Sequence, residues 1–167
     1  MLRMILISCA LLLLGFCSVV LTSFVRQVSR PGEVAEGVGS VDWLPAEATN
    51  ISYHKDYMTN AYEFQISEAG FRQWAAEVAS EPVSEFLIYE PVADIAKDEP
   101  CCMYRYKFFA GKKQASMKGS DEAEWFKSSL IEIENGLRGE LRFRNGGGYS
   151  IGYDRDSGTA YWHWSRR

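Results

Sequence analysis

The chain begins with a run, Met4–Val25, that holds no charged residue and is bounded by Arg3 and Arg26. A helix rises about 1.5 Å per residue, so about 20 apolar residues cross the hydrocarbon core of a bilayer. The run meets that length, with Met4 and Val25 at its ends and Leu11 and Leu14 at its centre. Backbone in lipid must satisfy its own hydrogen bonds, which makes a helix the expected form. The run is apolar on every side, unlike a helix that buries one stripe in a soluble core. Residues 1–30 therefore read as a single membrane span.

Two other fates compete with a retained anchor. A cleaved signal peptide has a shorter apolar core and a small-x-small site. Val20-Leu21-Thr22 and Leu21-Thr22-Ser23 are poor matches to such a site. Cleavage would leave a secreted soluble protein. The second is a lipid-modified cysteine. Leu6-Ile7-Ser8-Cys9 has the local pattern but too few residues precede it, and Leu14-Gly15-Phe16-Cys17 puts Phe where a small residue belongs. The flanking charges nearly tie, Arg3 and the amino terminus against Arg26 and Arg30. A short leader ahead of a large domain stays in the cytoplasm, so residues 31–167 are expected outside it, on a single-pass protein of the cell membrane.

The rest of the chain is long enough for one domain with its own core. The net charge of the 167-residue chain is −4, and residues 1–30 carry only Arg3, Arg26 and Arg30, so the remainder is more acidic still. An acidic domain repels nucleic acid and anionic lipid as partners. Cys9 and Cys17 fall in the apolar run, and Cys101-Cys102 are adjacent, with no C-x-x-C anywhere. Neither zinc nor dithiol exchange chemistry is indicated. Buried or free thiols are the plain reading of the adjacent pair, and a vicinal disulfide the sharper one.

Gln27–Ser40 has Pro31, several glycines and serines and no apolar period, so residues 31–40 read as a linker and 41–167 as the folded domain. Thr49–Asp56 and Ala61–Ser67 form an expected hairpin around Tyr57–Asn60, with Tyr53 opposite Phe64 and Ile51 opposite Ile66. Ser67 is placed to cap a helix, with Glu68 in its first turn. Phe71, Trp74, Ala75 and Val78 make one apolar stripe, and Pro82 ends the pattern. Phe86–Tyr89 reads as either a short strand or a helical turn. Cys102, Tyr104, Tyr106 and Phe108 alternate with Met103, Arg105 and Lys107, a strand signal. Gly111–Ser120 is a polar loop, and Ser120 with Asp121 and Glu122 opens a second helix carrying Trp125 and Phe126.

Ser129–Glu134 and Arg138–Arg144 are expected to pair around Asn135–Leu137, with Gly136 available for a left-handed position, and a helix running on to Asn135 is the alternative. The final hairpin is Tyr149–Asp154 with Thr159–Ser165 around Arg155-Asp156-Ser157-Gly158. Its register stacks Tyr153 on Ala160, Ile151 on Trp162 and Tyr149 on Trp164, and sets Gly152 by Tyr161 and Ser150 by His163 on the other face. The expected fold is α+β, a mainly antiparallel sheet with one or two helices on one face, behind a single N-terminal transmembrane helix.

Gly148-Tyr149-Ser150-Ile151-Gly152 matches G-x-S-x-G. In hydrolases that motif holds the serine on a strained turn between strand and helix. Here it lies within an alternating strand, and no helix follows. Ser150 and His163 are nevertheless cross-strand neighbours in the expected register, which is the seed of a nucleophile–base pair. They stand as weak catalytic candidates, without an oxyanion hole. Tyr149, Tyr161, Trp162 and Trp164 are the ligand-binding candidates: left exposed, they make a stacking platform for a sugar or a peptide, and packed inward they are core. Asp154–Gly158 begins like a calcium loop but lacks its third oxygen ligand, the glycine one position later and the terminal Glu. His54 and His163, the only histidines, lie far apart in sequence, so no metal site and no cofactor is expected.

Leu44-Pro45-Ala46-x-Ala48-x-Asn50-Ile51, then Tyr62-Glu63-Phe64 and Glu68, Phe71 and Trp74, resemble the start of small bacterial domains found behind a signal anchor or lipobox. Gly147–Tyr149, Tyr153-Asp154 and Ala160-Tyr161 are similar to the ends of such proteins. Those domains have no assigned function, so the resemblance implies an extracytoplasmic location and an α+β fold and carries over no catalytic residue. The expected function is a membrane-anchored, non-enzymatic module that binds a protein or a glycan of the cell envelope. The alternative is a hydrolase using Ser150 and His163.

Overall fold

A computed structural model of the chain describes residues 32–78, 87–96, 99–109, 129–143 and 146–166. The expected span over Met4–Val25, the polar loop Gly111–Ser120 and the helix expected after Ser120 lie outside the described residues. Among the described residues no helix is long and apolar enough to cross a membrane.

The fold is α+β and mainly antiparallel. Strands β1 (Glu33–Val38), β2 (Thr49–Lys55) and β3 (Thr59–Gln65) lead into helix α1 (Glu68–Val78). Strands β4 (Leu87–Asp94), β5 (Cys101–Tyr104), β6 (Leu130–Ile133), β7 (Gly136–Phe143), β8 (Gly148–Asp154) and β9 (Thr159–Ser165) follow. Seven of them form one sheet in the order β1-β2-β3-β9-β8-β7-β4, and β5 pairs with β6 in a separate two-stranded sheet. Part of the expected linker is thus β1, an edge strand whose polar, non-alternating sequence carries no period-two signal. Pro91, which has no N–H to donate, lies in the opposite edge strand β4, beside a register shift between Glu90 and Ala93.

Helix α1 forms as its sequence dictates. Ser67 Oγ accepts from Gly70 N at 3.1 Å, which satisfies one orphan amide of the first turn. Phe71, Trp74 and Ala75 are buried and pack on Leu44, Ile51, Phe64, Leu137, Ile151, Tyr153 and Ala160 from one face of the large sheet. The other face is covered by different elements. Met103, Ile133 and Tyr161 form a second core, with β5 and β6 lying across β8 and β9. Gly152 makes room for that cover, because a Cβ there would meet Met103 Cγ at 3.0 Å and Ile133 Cδ1 at 3.2 Å.

The β8–β9 hairpin has the expected register throughout, from Asp154 opposite Thr159 to Tyr149 opposite Trp164. Gly158, at φ 65°, closes its four-residue turn in the left-handed region. The β2–β3 hairpin differs from expectation by two residues, with Tyr53 opposite Tyr62 rather than Phe64. Asp56 causes this. Its Oδ1 accepts from Met58 N and Thr59 N, both at 2.7 Å, which tightens the turn to Asp56–Thr59.

Two further expectations are corrected. The strand expected through Phe108 stops at Tyr104, and residues 106–109 form a helical turn. Arg105 ends the strand by turning toward a buried carboxylate on β3. The hairpin expected around Asn135-Gly136 does not form: β6 pairs with β5, whereas β7 pairs with β8 and β4. Gly136 is not left-handed. It is required because β8 passes against it, and a Cβ would sit 1.9 Å from the Tyr153 carbonyl oxygen. Gly136→Ala is therefore expected to destabilise the domain by about 1–3 kcal/mol, as overpacked sites do. Denaturant unfolding checks this, and an unchanged midpoint would show that the two strands have room to part.

Candidate functional site

Alternation on β7, β8 and β9 sends Arg138, Glu140, Arg142, Ser150, Gly152, Tyr161 and His163 to the sheet face opposite α1. The β5–β6 cover occupies only part of that face. Beside it remains a cleft of about 510 Å³, floored by Glu140, Ser150 and His163 and walled by Cys101–Tyr104, with Gly146–Gly148 at its end.

Ser150 and His163 are cross-strand partners, as expected. Their side chains have other attachments. Ser150 Oγ donates to Glu140 Oε1 at 3.2 Å. Glu140 also accepts from Arg142 Nε at 2.6 Å and Nη2 at 2.9 Å, and Arg138 Nη2 donates to Glu90 at 3.0 Å. The His163 ring stacks on Phe109, with centroids 4.6 Å apart and planes 15° from parallel, and meets Tyr104 edge-on at 6.1 Å. Its Nε2 is enclosed and has no hydrogen-bond partner among the described residues. Burial pushes the imidazole down to about 4, although the Glu140 carboxylate opposes that shift. Among the described residues no donor meets His163 Nε2, and the Ser150 proton points at the Glu140 carboxylate instead, so the two side chains make no hydrogen bond through that nitrogen.

The aromatic candidates divide between the two faces. Tyr161 is buried in the outer core with Met103 and Ile133. Tyr149 and Trp162 pack against the helix-side core, where Trp162 meets Trp43 at 4.9 Å and Tyr62 at 5.7 Å. Trp164 is half-buried opposite Tyr149. Cys101 and Cys102 are free thiols at the cleft wall, and burial pushes the Cys101 thiol up. Among the described residues no three His, Cys, Asp or Glu side chains gather around a common point suited to a metal ion.

Several functional groups were not singled out from sequence. Arg138, Glu140 and Arg142 form the charged face of β7, and their i, i+2, i+4 spacing was the available signal. Phe109 lies over both histidines, 6.2 Å from the His54 ring and 4.6 Å from His163, a meeting of remote segments that no local pattern announces. The outer cover is clasped to the sheet by Glu63, which is 7% exposed. Glu63 accepts from Arg105 Nε at 3.1 Å and Nη2 at 2.8 Å and from the backbone N of Tyr106 at 3.1 Å.

Removing one partner of a buried pair leaves an uncompensated charge. With the Arg105 side chain 35% exposed, Arg105→Met is expected to cost about 1–3 kcal/mol, and to exceed the loss in the Glu63→Gln, Arg105→Met double variant. Equal losses in thermal unfolding would show that Glu63 reaches water without its partner. His163 gives a pH signature. Its folded value lies below the unfolded one, near 6.5, so the unfolded chain binds the extra proton between those two values. Stability should fall as pH drops from about 6.5 to about 4, by about 3 kcal/mol in full. His163→Phe should flatten that part of the profile, and an unaltered slope in urea titrations would exclude His163 as its source.

No protein-family model, no curated protein and no solved structure matches the chain.

Proposed function

We propose that the chain is a single-pass, membrane-anchored module whose folded domain lies outside the cytoplasm and binds a protein or glycan component of a bacterial cell envelope. The uncharged run Met4–Val25 supports the anchor. The observation that carries the binding role is the outer-face cleft of about 510 Å³, which combines guanidinium, hydroxyl, carboxylate and aromatic groups without a nucleophile–base contact. Ligand sites have this make-up, a shaped concavity with a few convergent polar groups. The hydrolase reading keeps one point in its favour, since Ser150 and His163 share the cleft.

Two measurements on the full chain separate these readings. A bulky Ser150→Trp substitution fills the cleft floor and is expected to abolish co-purification of the partner from detergent-solubilised membranes, with the unfolding midpoint retained. Capture of the same partner by the filled variant would move the binding surface elsewhere. A fluorophosphonate probe is expected to leave Ser150 unlabelled. Labelling of the parent chain that disappears in Ser150→Ala would replace the binding role with a hydrolase.

A further inference from the structure

One end of the large sheet differs chemically from the other. The strands reach this end at Glu33, Lys55, Thr59, Ser165, Gly148 and Phe143, and two backbone bonds close the fringe, Arg166 N to the Met58 carbonyl and Phe143 N to the Gly147 carbonyl. Met58 is 40% exposed, Phe143 42% and Tyr89, two rungs in, 39%. Arg166 lies over the Tyr57 ring, 5.5 Å from its centroid. Trp164 and Tyr149 stand half-buried on the same rung as Tyr89.

Charge is segregated in the same sense. Lys55 and Arg166 are exposed at this end. Among the described residues the two acids at this end are engaged within the domain: Glu33 accepts from Tyr53 Oη at 2.5 Å, and Asp56 holds its own turn and the His54 ring. That engagement with His54 and with the Met58 and Thr59 amides lowers the Asp56 value even though burial raises it. The far end of the sheet carries Glu68, Asp94, Glu134, Asp154 and Asp156 around Arg72 and Arg155. A whole-chain charge of −4 therefore conceals a cationic, aromatic rim.

The chain enters the domain at this rim, because Gly32 precedes the first residue of β1. Between the uncharged run and Gly32 lies only Arg26–Pro31, which reaches at most about 20 Å when fully extended. Tyr, Trp, Lys and Arg around an apolar fringe are the residues that settle at a membrane–water boundary.

We infer that this end of the sheet rests on the bilayer surface, with Tyr57, Met58, Tyr89 and Phe143 entering the headgroup layer and Lys55 and Arg166 meeting lipid phosphates. The inference rests on the membrane tether of the preceding section. It orients the domain, so that strand axes stand up from the membrane and the acidic end faces away from it.

The test uses the full chain in vesicles of phosphatidylcholine and phosphatidylglycerol, with photoreactive benzoylphenylalanine in place of Phe143 or of Asp156. Lipid adducts are counted by mass spectrometry after irradiation, and tethering is read separately by flotation. Adducts are expected at 143 and not at 156. In a Lys55→Gln, Arg166→Gln background the rim contact should weaken by about fivefold for each charge removed. A chain that floats with the vesicles but gives equal adducts at both positions overturns the rim contact while leaving the tether intact. So does a chain whose adduct at 143 is a second copy of itself. A chain that does not float removes the tether, and the rim contact with it.

Discussion

Burial of one sheet on both faces is the constraint from which the rest of this structure follows. Strands β3, β9 and β8 alternate, so each sends side chains two ways, and both sets are largely covered. On one face Phe71, Trp74 and Ala75 of α1 supply the cover. On the other a two-stranded sheet and a helical turn do so, with a smaller buried centre of Met103, Ile133 and Tyr161. Polar chemistry makes up the difference. The carboxylate of Glu63, deep in a central strand, is tolerable only because Arg105 and the Tyr106 amide arrive with the cover. The charge and its neutralising partner come from segments far apart in sequence. The outer layer is thereby fixed in one place on the sheet, and among the described residues it leaves the cleft open beside it.

How much of this was legible depends on whether a signal was local. The β8–β9 hairpin was readable to the residue, because both strands alternate cleanly and Gly158 marks the turn. The cap and stripe of α1 were readable for the same reason. The Asn135-Gly136 pair misled, since this dipeptide is a strong hairpin signal. Here the glycine answers a tertiary demand, the close passage of the Tyr153 carbonyl. Pairing of β5 with β6 joins residues separated by a long connection, and nothing in either short strand names its partner. The β2–β3 hairpin shows an intermediate case. Its two strands were found, but a side-chain carboxylate, rather than the apolar pattern, set the register.

The candidate site follows the same division. That Ser150 and His163 face each other was contained in the hairpin register. What each one bonds to was not, because Glu140 comes from β7 and Phe109 from the outer cover. Adjacency on a sheet gives proximity, whereas chemistry needs a proton path. The carboxylate that takes the Ser150 hydrogen bond is itself held by Arg142, which fixes the polar floor of the cleft in one arrangement.

The position of β9 has a consequence for how such a chain is made. Residues 159–165 lie between β3 and β8, in the middle of the sheet. Strands β1, β2 and β3 together expose an unfilled edge until that segment arrives, roughly a hundred residues later in synthesis. Contacts of such long sequence separation form slowly and only after a large loop is closed. Until residues 159–165 arrive, the edge of β3 stays open to pairing with other chains, and the seven-stranded sheet closes only when its central rung has been delivered.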